Sequence, residues 1–186
     1  MKKLELFPTP VAIFQLEDYI QLNQELLLIP ELLSKSTGGF GGNLNVWDYV
    51  GNYPCLQKLH DTTLDKAAEY LEAFYHQGYT AQMFMHKRGW FNIRRSLDPA
   101  SAGAGLHNHR MTTIAMTYYV DVYEDTAPIY LMDSSSQLNW ASLDDSKNYH
   151  LHKHQPKNGE LIMFPGWLYH EVPFNKGKLA RTALSS

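Results

Sequence analysis

The chain has 186 residues, of which 44% are apolar and 19% charged, with a net charge of −3 and a sequence pI of about 6.3. That size suits one domain around a single core. The lack of a basic excess argues against nucleic acid or an anionic membrane as the main partner. The lone cysteine, Cys55, rules out an internal disulfide and fits a reducing compartment. Glu5 and Pro8 interrupt the N-terminus too early for the apolar region of a signal peptide, and the run Leu26 to Ile29 is too short to span a bilayer. The expectation is a cytoplasmic protein.

In chain order, residues 4–16 alternate loosely and carry Pro8 and Pro10, which suits an edge strand because proline cannot donate to an interior ladder. Residues 17–33 have apolar side chains at roughly helical spacing, with Pro30 as a breaker. Residues 34–53 read as a loop anchored by Trp47 and Tyr49. Pro54 opens the clearest helix, 54–76, whose stripe is Leu56, Leu59, Leu64, Ala67, Ala68, Leu71 and Phe74; Gly78 ends it. From residue 81 short β segments take over: 82–95, 105–109, 111–123, 127–132, 148–154, 159–164, 168–173 and 179–186. A Pro/Gly/Ala loop from Leu97 to Gly105 and a polar loop, 133–147, lie between them. Strands at this spacing indicate a sandwich or barrel. The expected fold is α+β and mainly β, one domain over 1–186, with an edge strand and helices in 1–80 and the β core in 81–186.

Three histidines carry the chemistry. His107 and His109 are two apart on an expected strand, so period two puts both on one face. Neutral imidazole suits Fe(II), Zn, Ni or Cu, and His170, after the Pro165-Gly166 turn, is the candidate third ligand. His150, His152 and His154 alternate along another segment and form a competing set; with charges and Gln155 around them, they read as a polar strand face. The run Gly103-Ala104-Gly105 is too short for a phosphate loop and lacks the helix start. Trp90 and Trp167 are expected to fill the core, and Trp140 to belong to a lid.

Two blocks carry a family resemblance. One runs from His107-Asn108-His109 to Tyr118-Tyr119-Val120. The other runs from Gly159 through Trp167-Leu168-Tyr169-His170-Glu171-Val172-Pro173 to Arg181 on the last strand. With the opening Leu6-Phe7-Pro8-Thr9-Pro10-Val11 and the segment Trp90-Phe91-Asn92-Ile93, they resemble bacterial and viral members of the Fe(II)- and 2-oxoglutarate-dependent oxygenase superfamily. The resemblance is strong over 90–186 and weak over 17–80. It implies a double-stranded β-helix, or jelly roll, with helices packed outside. It also implies a facial metal set of His107, His109 and His170, in which His109 stands where the superfamily usually has Asp or Glu. Asn108 should point to the other face and does not replace that carboxylate. Arg181, eleven residues after His170, would pair with the distal carboxylate of 2-oxoglutarate. Asn92, Thr117, Tyr119 and Ser185 are weaker candidates for hydrogen bonds to the cosubstrate or its supports.

The implied activity is hydroxylation of a C–H bond using Fe(II), O₂ and 2-oxoglutarate, with release of CO₂ and succinate. The substrate is a small molecule or a protein side chain, with no nucleic-acid or membrane partner, and the oligomeric state is open between monomer and homodimer. A cupin is the alternative, since it shares the jelly roll and the His-x-His pattern. Its first motif, however, wants a glutamate about four residues after the second histidine, and residues 110–120 hold no acid. A non-catalytic jelly roll is the third reading.

Overall fold

The computed structural model describes residues 9–29, 45–75, 78–94, 103–132, 151–177 and 179–186. Among the described residues, nine strands form two antiparallel sheets: β1 (Ala12–Gln15), β2 (Trp90–Arg94), β3 (Ala104–His107), β4 (Ile114–Asp121), β5 (Ile129–Met132), β6 (Leu151–His154), β7 (Glu160–Pro165), β8 (Tyr169–Val172) and β9 (Arg181–Ser185). One sheet has the order β1-β7-β4-β9-β2 and the other β3-β8-β5-β6. No strand pairing joins the two among the described residues, so they face each other without closing into a barrel. The mainly-β jelly roll expected from the sequence is present.

Two helices, α1 (Tyr19–Leu27) and α2 (Pro54–Tyr75), cover the outer face of the five-stranded sheet. That sheet is therefore buried on both sides, and residue parity divides its side chains between two cores. Tyr118 lies opposite Leu161 and Leu184, and Leu184 opposite Phe91. This row packs against Leu22, Leu26, Leu56, Leu59 and Tyr70 of the helices. The alternate residues Ala115, Tyr119, Ile162, Phe164 and Ala183 meet Ile129, Leu131 and Val172 of the second sheet. Each large aliphatic side chain so buried contributes about 1.5–3 kcal/mol.

Helix α2 starts at Pro54, whose missing N–H is no loss at a first helical position. Its buried stripe is Cys55, Leu56, Leu59, Thr63, Ala67, Tyr70 and Leu71, a helical spacing. Phe74, expected in the stripe, is 45% exposed and meets the Tyr70 ring at 5.2 Å. Gly78 follows in the left-handed conformation (φ 64°). The expected strand 82–95 is shorter: Ala81–Met83 is a 3-10 turn and only Trp90–Arg94 pairs. Gly89 precedes the pairing because a Cβ there would lie 2.2 Å from the Trp47 indole. Residues 46–52, expected as loop, form a 3-10 helix that buries Trp47. The strand expected over 4–16 narrows to β1, which does lie at a sheet edge. Leu4–Pro8, Pro30, residues 31–44 and the polar loop 133–147 with Trp140 lie outside the described residues.

A polar rivet fixes α1 to the sheet. Asn23, 6% exposed, donates to Val120 O (2.6 Å) and accepts from Tyr118 Oη (2.5 Å). Replacing Asn23 by Leu leaves the buried Tyr118 hydroxyl and the Val120 carbonyl without these partners. Asn23→Leu should cost about 2–4 kcal/mol, read from the urea midpoint. A change below about 0.5 kcal/mol would contradict the rivet.

Candidate metal and anion site

The site forms where the inner faces of the two sheets meet. β3 and β8 are neighbours, and His107 lies directly opposite His170 in their register. His109 is not on a strand, contrary to the period-two argument: β3 ends at His107. It is held by a loop instead. The His109 amide donates to Gly166 O (2.8 Å), the Gly166 amide to Thr113 O (3.2 Å), and the Thr112 amide to His109 O (3.2 Å). Met111 turns this loop in the left-handed region (φ 67°), a local strain that the paired backbone holds. Gly166 is required at the partner turn, since a Cβ would lie 2.1 Å from Thr112 O.

The three imidazoles converge. Ring centroids are 4.2 Å apart for His107–His170, 5.0 Å for His109–His170 and 5.2 Å for His107–His109. One ligand nitrogen from each lies within 4.8 Å of the others, a grouping able to hold one metal ion. His107 Nδ1–H donates to Gly105 O (2.7 Å) and His170 Nδ1–H to Leu168 O (3.0 Å). These bonds assign the tautomer, leaving Nε2 of both rings with its lone pair for a metal. Burial pushes His109 and His170 down to about 4, and His107 below its ordinary value, with the Arg94 charge adding to the effect at His107. All three are therefore neutral at pH 7, the form that ligates.

The five-stranded sheet supplies the opposite wall. Arg181, on β9, is 2% exposed and faces the Tyr119 ring with its guanidinium carbon 5.1 Å from the centroid. Arg181 Nε and Tyr119 Oη are buried and hydrogen-bonded to nothing described. Two unmatched polar groups side by side are costly in a core and fit an anion-binding end. Burial lowers the Arg181 pKa, opposed by Tyr119. Asn92, Thr117 and Ser185 line the same pocket as the histidines and Arg181. They form one chain: Trp90 Nε1 donates to Asn92 Oδ1 (3.2 Å), Asn92 Nδ2 to Ser185 Oγ (2.8 Å), and Ser185 Oγ meets Thr117 Oγ1 at 3.1 Å.

Other expectations divide. Trp90 is half-buried and lines the pocket, 6.1 Å from the His109 ring, rather than filling the core. Trp167 is 49% exposed, because its turn projects from the sandwich. Asn108 is not among the pocket-lining residues and donates to Trp167 O (3.4 Å). His152 is exposed, and His154 Nε2 bonds Glu160 Oε2 (2.9 Å), so these two read as a polar strand face; His150 lies outside the described residues.

Two residues were missed. Arg94 lines the pocket and lies opposite Arg181 in the β2–β9 register; it follows Trp90 and Asn92 at period two, a signal that could have found it. Asn175 is 0% exposed and donates to Arg94 O (3.1 Å) and Leu179 O (3.0 Å), while its Oδ1 accepts from the Ala127 and Gly177 amides. It fixes the backbone at both arginines, but in the sequence it looks like an ordinary turn residue.

The chemistry of the donor set fits iron(II), and the unmatched Arg181 and Tyr119 atoms fit a carboxylate. A family model described as "Putative 2OG-Fe(II) oxygenase" matches residues 88–186. No curated protein matches the chain. Among solved structures, AviO1 from Streptomyces viridochromogenes is similar with a TM-score of 0.63 at 10% identity, covering 95% of this chain and 88% of that one. EctD from S. alaskensis, solved with 2-oxoglutarate and 5-hydroxyectoine, gives 0.61 at 15% identity, covering 95% and 71%. A prolyl-4-hydroxylase from Pseudomonas putida gives 0.58 at 11% identity, covering 95% and 85%. At such identities these likenesses show a shared fold.

The neutral histidines carry a cost without metal. An unfolded chain protonates histidine near pH 6.5, whereas the folded chain resists to about 4. Stability of the metal-free chain should therefore fall as pH drops from about 6.5 to 4 and be insensitive to these groups above that window. Urea midpoints at pH 7 and pH 5 read this. The drop should shrink in His109→Gln, and an equal drop in that variant would contradict the assignment.

Proposed function

The chain belongs to the 2OG-Fe(II) oxygenase family, and from that premise we propose that His107, His109 and His170 hold the iron of a dioxygenase whose cosubstrate, 2-oxoglutarate, is anchored by Arg181. The observation that carries the reading is the pairing within one pocket of three converging imidazoles with a buried arginine on the facing sheet. When bound, iron(II) with 2-oxoglutarate and O₂ would supply insertion of one oxygen atom into a C–H bond, the other oxygen atom going to the succinate formed as the cosubstrate loses CO₂.

The chain's own residues bind, orient and dry. The Gly105 and Leu168 carbonyls hold the His107 and His170 rings in their ligating tautomer. The guanidinium fork of Arg181 pairs with the distal carboxylate, with the Tyr119 hydroxyl beside it. Asn92, Thr117 and Ser185 offer side-chain hydrogen bonds along the same wall. Phe164, 4.8 Å from the His170 ring, and Ile129 are apolar parts of the lining that limit water. The substrate is a small molecule or a protein side chain. No helix among the described residues is long and apolar enough to cross a membrane. A cytoplasmic location is part of the proposal, supported by the single buried thiol, Cys55.

Anaerobic titration with Fe(II) and then 2-oxoglutarate, followed by the visible absorbance of their complex, tests the reading. Arg181→Ala should weaken 2-oxoglutarate binding by about 2–5 kcal/mol and leave iron binding nearly intact; equal loss of both would refute Arg181's role. His109→Asp restores the carboxylate usual in the superfamily and should keep or raise iron affinity. Loss of iron in that variant would remove His109 from the ligand set.

A further inference from the structure

The inner wall of the five-stranded sheet is a stack of rows. Trp90, Ser185 and Thr117 lie side by side in the β2–β9–β4 register, then Asn92, Ala183 and Tyr119, then Arg94 and Arg181. Successive rows are two residues apart, about 7 Å of strand, so the Trp90 row stands about 13 Å from the Arg181 row. Trp90, Asn92, Arg94 and Arg181 all line the pocket. The pocket therefore has an arginine end and a tryptophan end. His109 belongs to the tryptophan end, with its ring 6.1 Å from the Trp90 indole.

Trp90 is held in place on both sides. On the helix side, the Gly89 amide donates to Asn45 Oδ1 (2.8 Å) and the Val46 amide to Gly89 O (2.8 Å), which fixes the start of β2. On the pocket side, Trp90 Nε1 donates to Asn92 Oδ1 (3.2 Å), and Asn92 Nδ2 donates to Ser185 Oγ (2.8 Å). An indole has one donor and no acceptor. With that donor engaged, the half-buried ring presents hydrocarbon surface and a π face to the pocket, and no polar handle. Covering such a surface with an apolar group is favourable, whereas a polar group placed there gains no partner from it. The segments that hold His109 continue this character outward, since Met111 and Trp167 are exposed on them.

Resting on the proposed function, we infer that Trp90 is a specificity-determining residue whose ring packs against an apolar group of the substrate, aliphatic or aromatic, beside the metal. 2-Oxoglutarate anchored at Arg181 occupies the arginine end, and its four carbon–carbon bonds span less than the separation of the two rows. The tryptophan end is left for the molecule to be oxidised. The substrate class is thus one with a hydrocarbon group at the position of reaction, packed by contact area.

The test uses the full chain loaded anaerobically with Fe(II) and saturating 2-oxoglutarate. Calorimetric titration with benzamide and hexanamide against acetamide varies the apolar group while the amide stays constant. The two larger amides should bind the wild-type chain at least about tenfold more tightly than acetamide. Trp90→Ala should erase that preference, and Trp90→Phe, which keeps a ring without the N–H, should retain part of it. Equal binding of the three amides to the wild-type chain overturns the inference, and this arm needs no variant that could misfold. So does an undiminished preference in Trp90→Ala. Tetramethylammonium is the third probe: if it binds more tightly than benzamide, the ring serves as a cation receptor and the apolar reading falls. A further arm titrates 2-oxoglutarate into the iron-loaded variants. Trp90→Ala should retain wild-type affinity while Arg181→Gln loses at least about tenfold. If Trp90→Ala loses as much, Trp90 serves the cosubstrate or the integrity of the wall, and the inference is overturned. Failure of the wild-type chain to bind 2-oxoglutarate is a distinct outcome: it removes the proposed function, and this inference with it.

Discussion

The burial of the five-stranded sheet on both faces is the constraint on which the rest depends. Helices α1 and α2 cover one side and the four-stranded sheet covers the other. Covered on both faces over its central strands, the sheet makes parity functional: along β4, Tyr118 and Val120 join the helical core, while Ala115, Thr117 and Tyr119 face the second sheet and the pocket. The same rule selects Arg181 and Ser185 on β9 and Trp90, Asn92 and Arg94 on β2. A one-residue slip would bury these polar groups against helices and empty the site. The layer that stabilises the fold is also the layer that carries the Arg181 wall of the pocket.

The division of labour follows from that geometry. The metal side comes from β3, β8 and the loop after β3; the anion side comes from β2, β4 and β9. Neither sheet holds a complete site. Their separation is set by packing of Phe164, Ile129 and Val172 between them, and by the Pro165–Leu168 turn that passes from one sheet to the other and is tied to the His109 loop by backbone hydrogen bonds. Asn175 does the corresponding work at the other end, holding the strand termini that carry Arg94 and Arg181. Such buried, fully bonded residues act as positioning groups, because a displacement of about 1 Å at the reacting centre is enough to lose much of the benefit of orientation.

The electrostatics of the pocket are set by burial. Desolvation keeps the imidazoles neutral and makes the two guanidiniums expensive. Burial and the neighbouring Arg181 lower Arg94 to about 10, so its guanidinium remains charged at neutral pH. Substituting His109 for the usual carboxylate shifts the balance further toward positive charge. In a pocket of this kind the low local dielectric amplifies each charge pair.

Local pattern determined the helix from Pro54, the run of short strands and the edge position of β1, and it picked out His107, His109 and His170 as candidate ligands, while Arg181 entered through the family resemblance. The pattern-based readings rest on nearest-neighbour chemistry: proline geometry, helical or alternating spacing, and imidazole donors. Tertiary structure decided what local pattern could not. His109 reaches the site from a loop held by Gly166, not from the strand that alternation implied. Trp167 lies at the surface and Trp90 in the pocket, because burial of an aromatic depends on which element lies opposite it. Asn175 looks like a turn residue until its four hydrogen bonds are seen to span distant segments, and Arg94 becomes part of the site only when β2 pairs with β9. Sequence specifies which groups are available. The register of long-range strand pairs and the packing of two sheets specify which of them meet, since side chains far apart in the chain are brought together only by contacts that no local window contains.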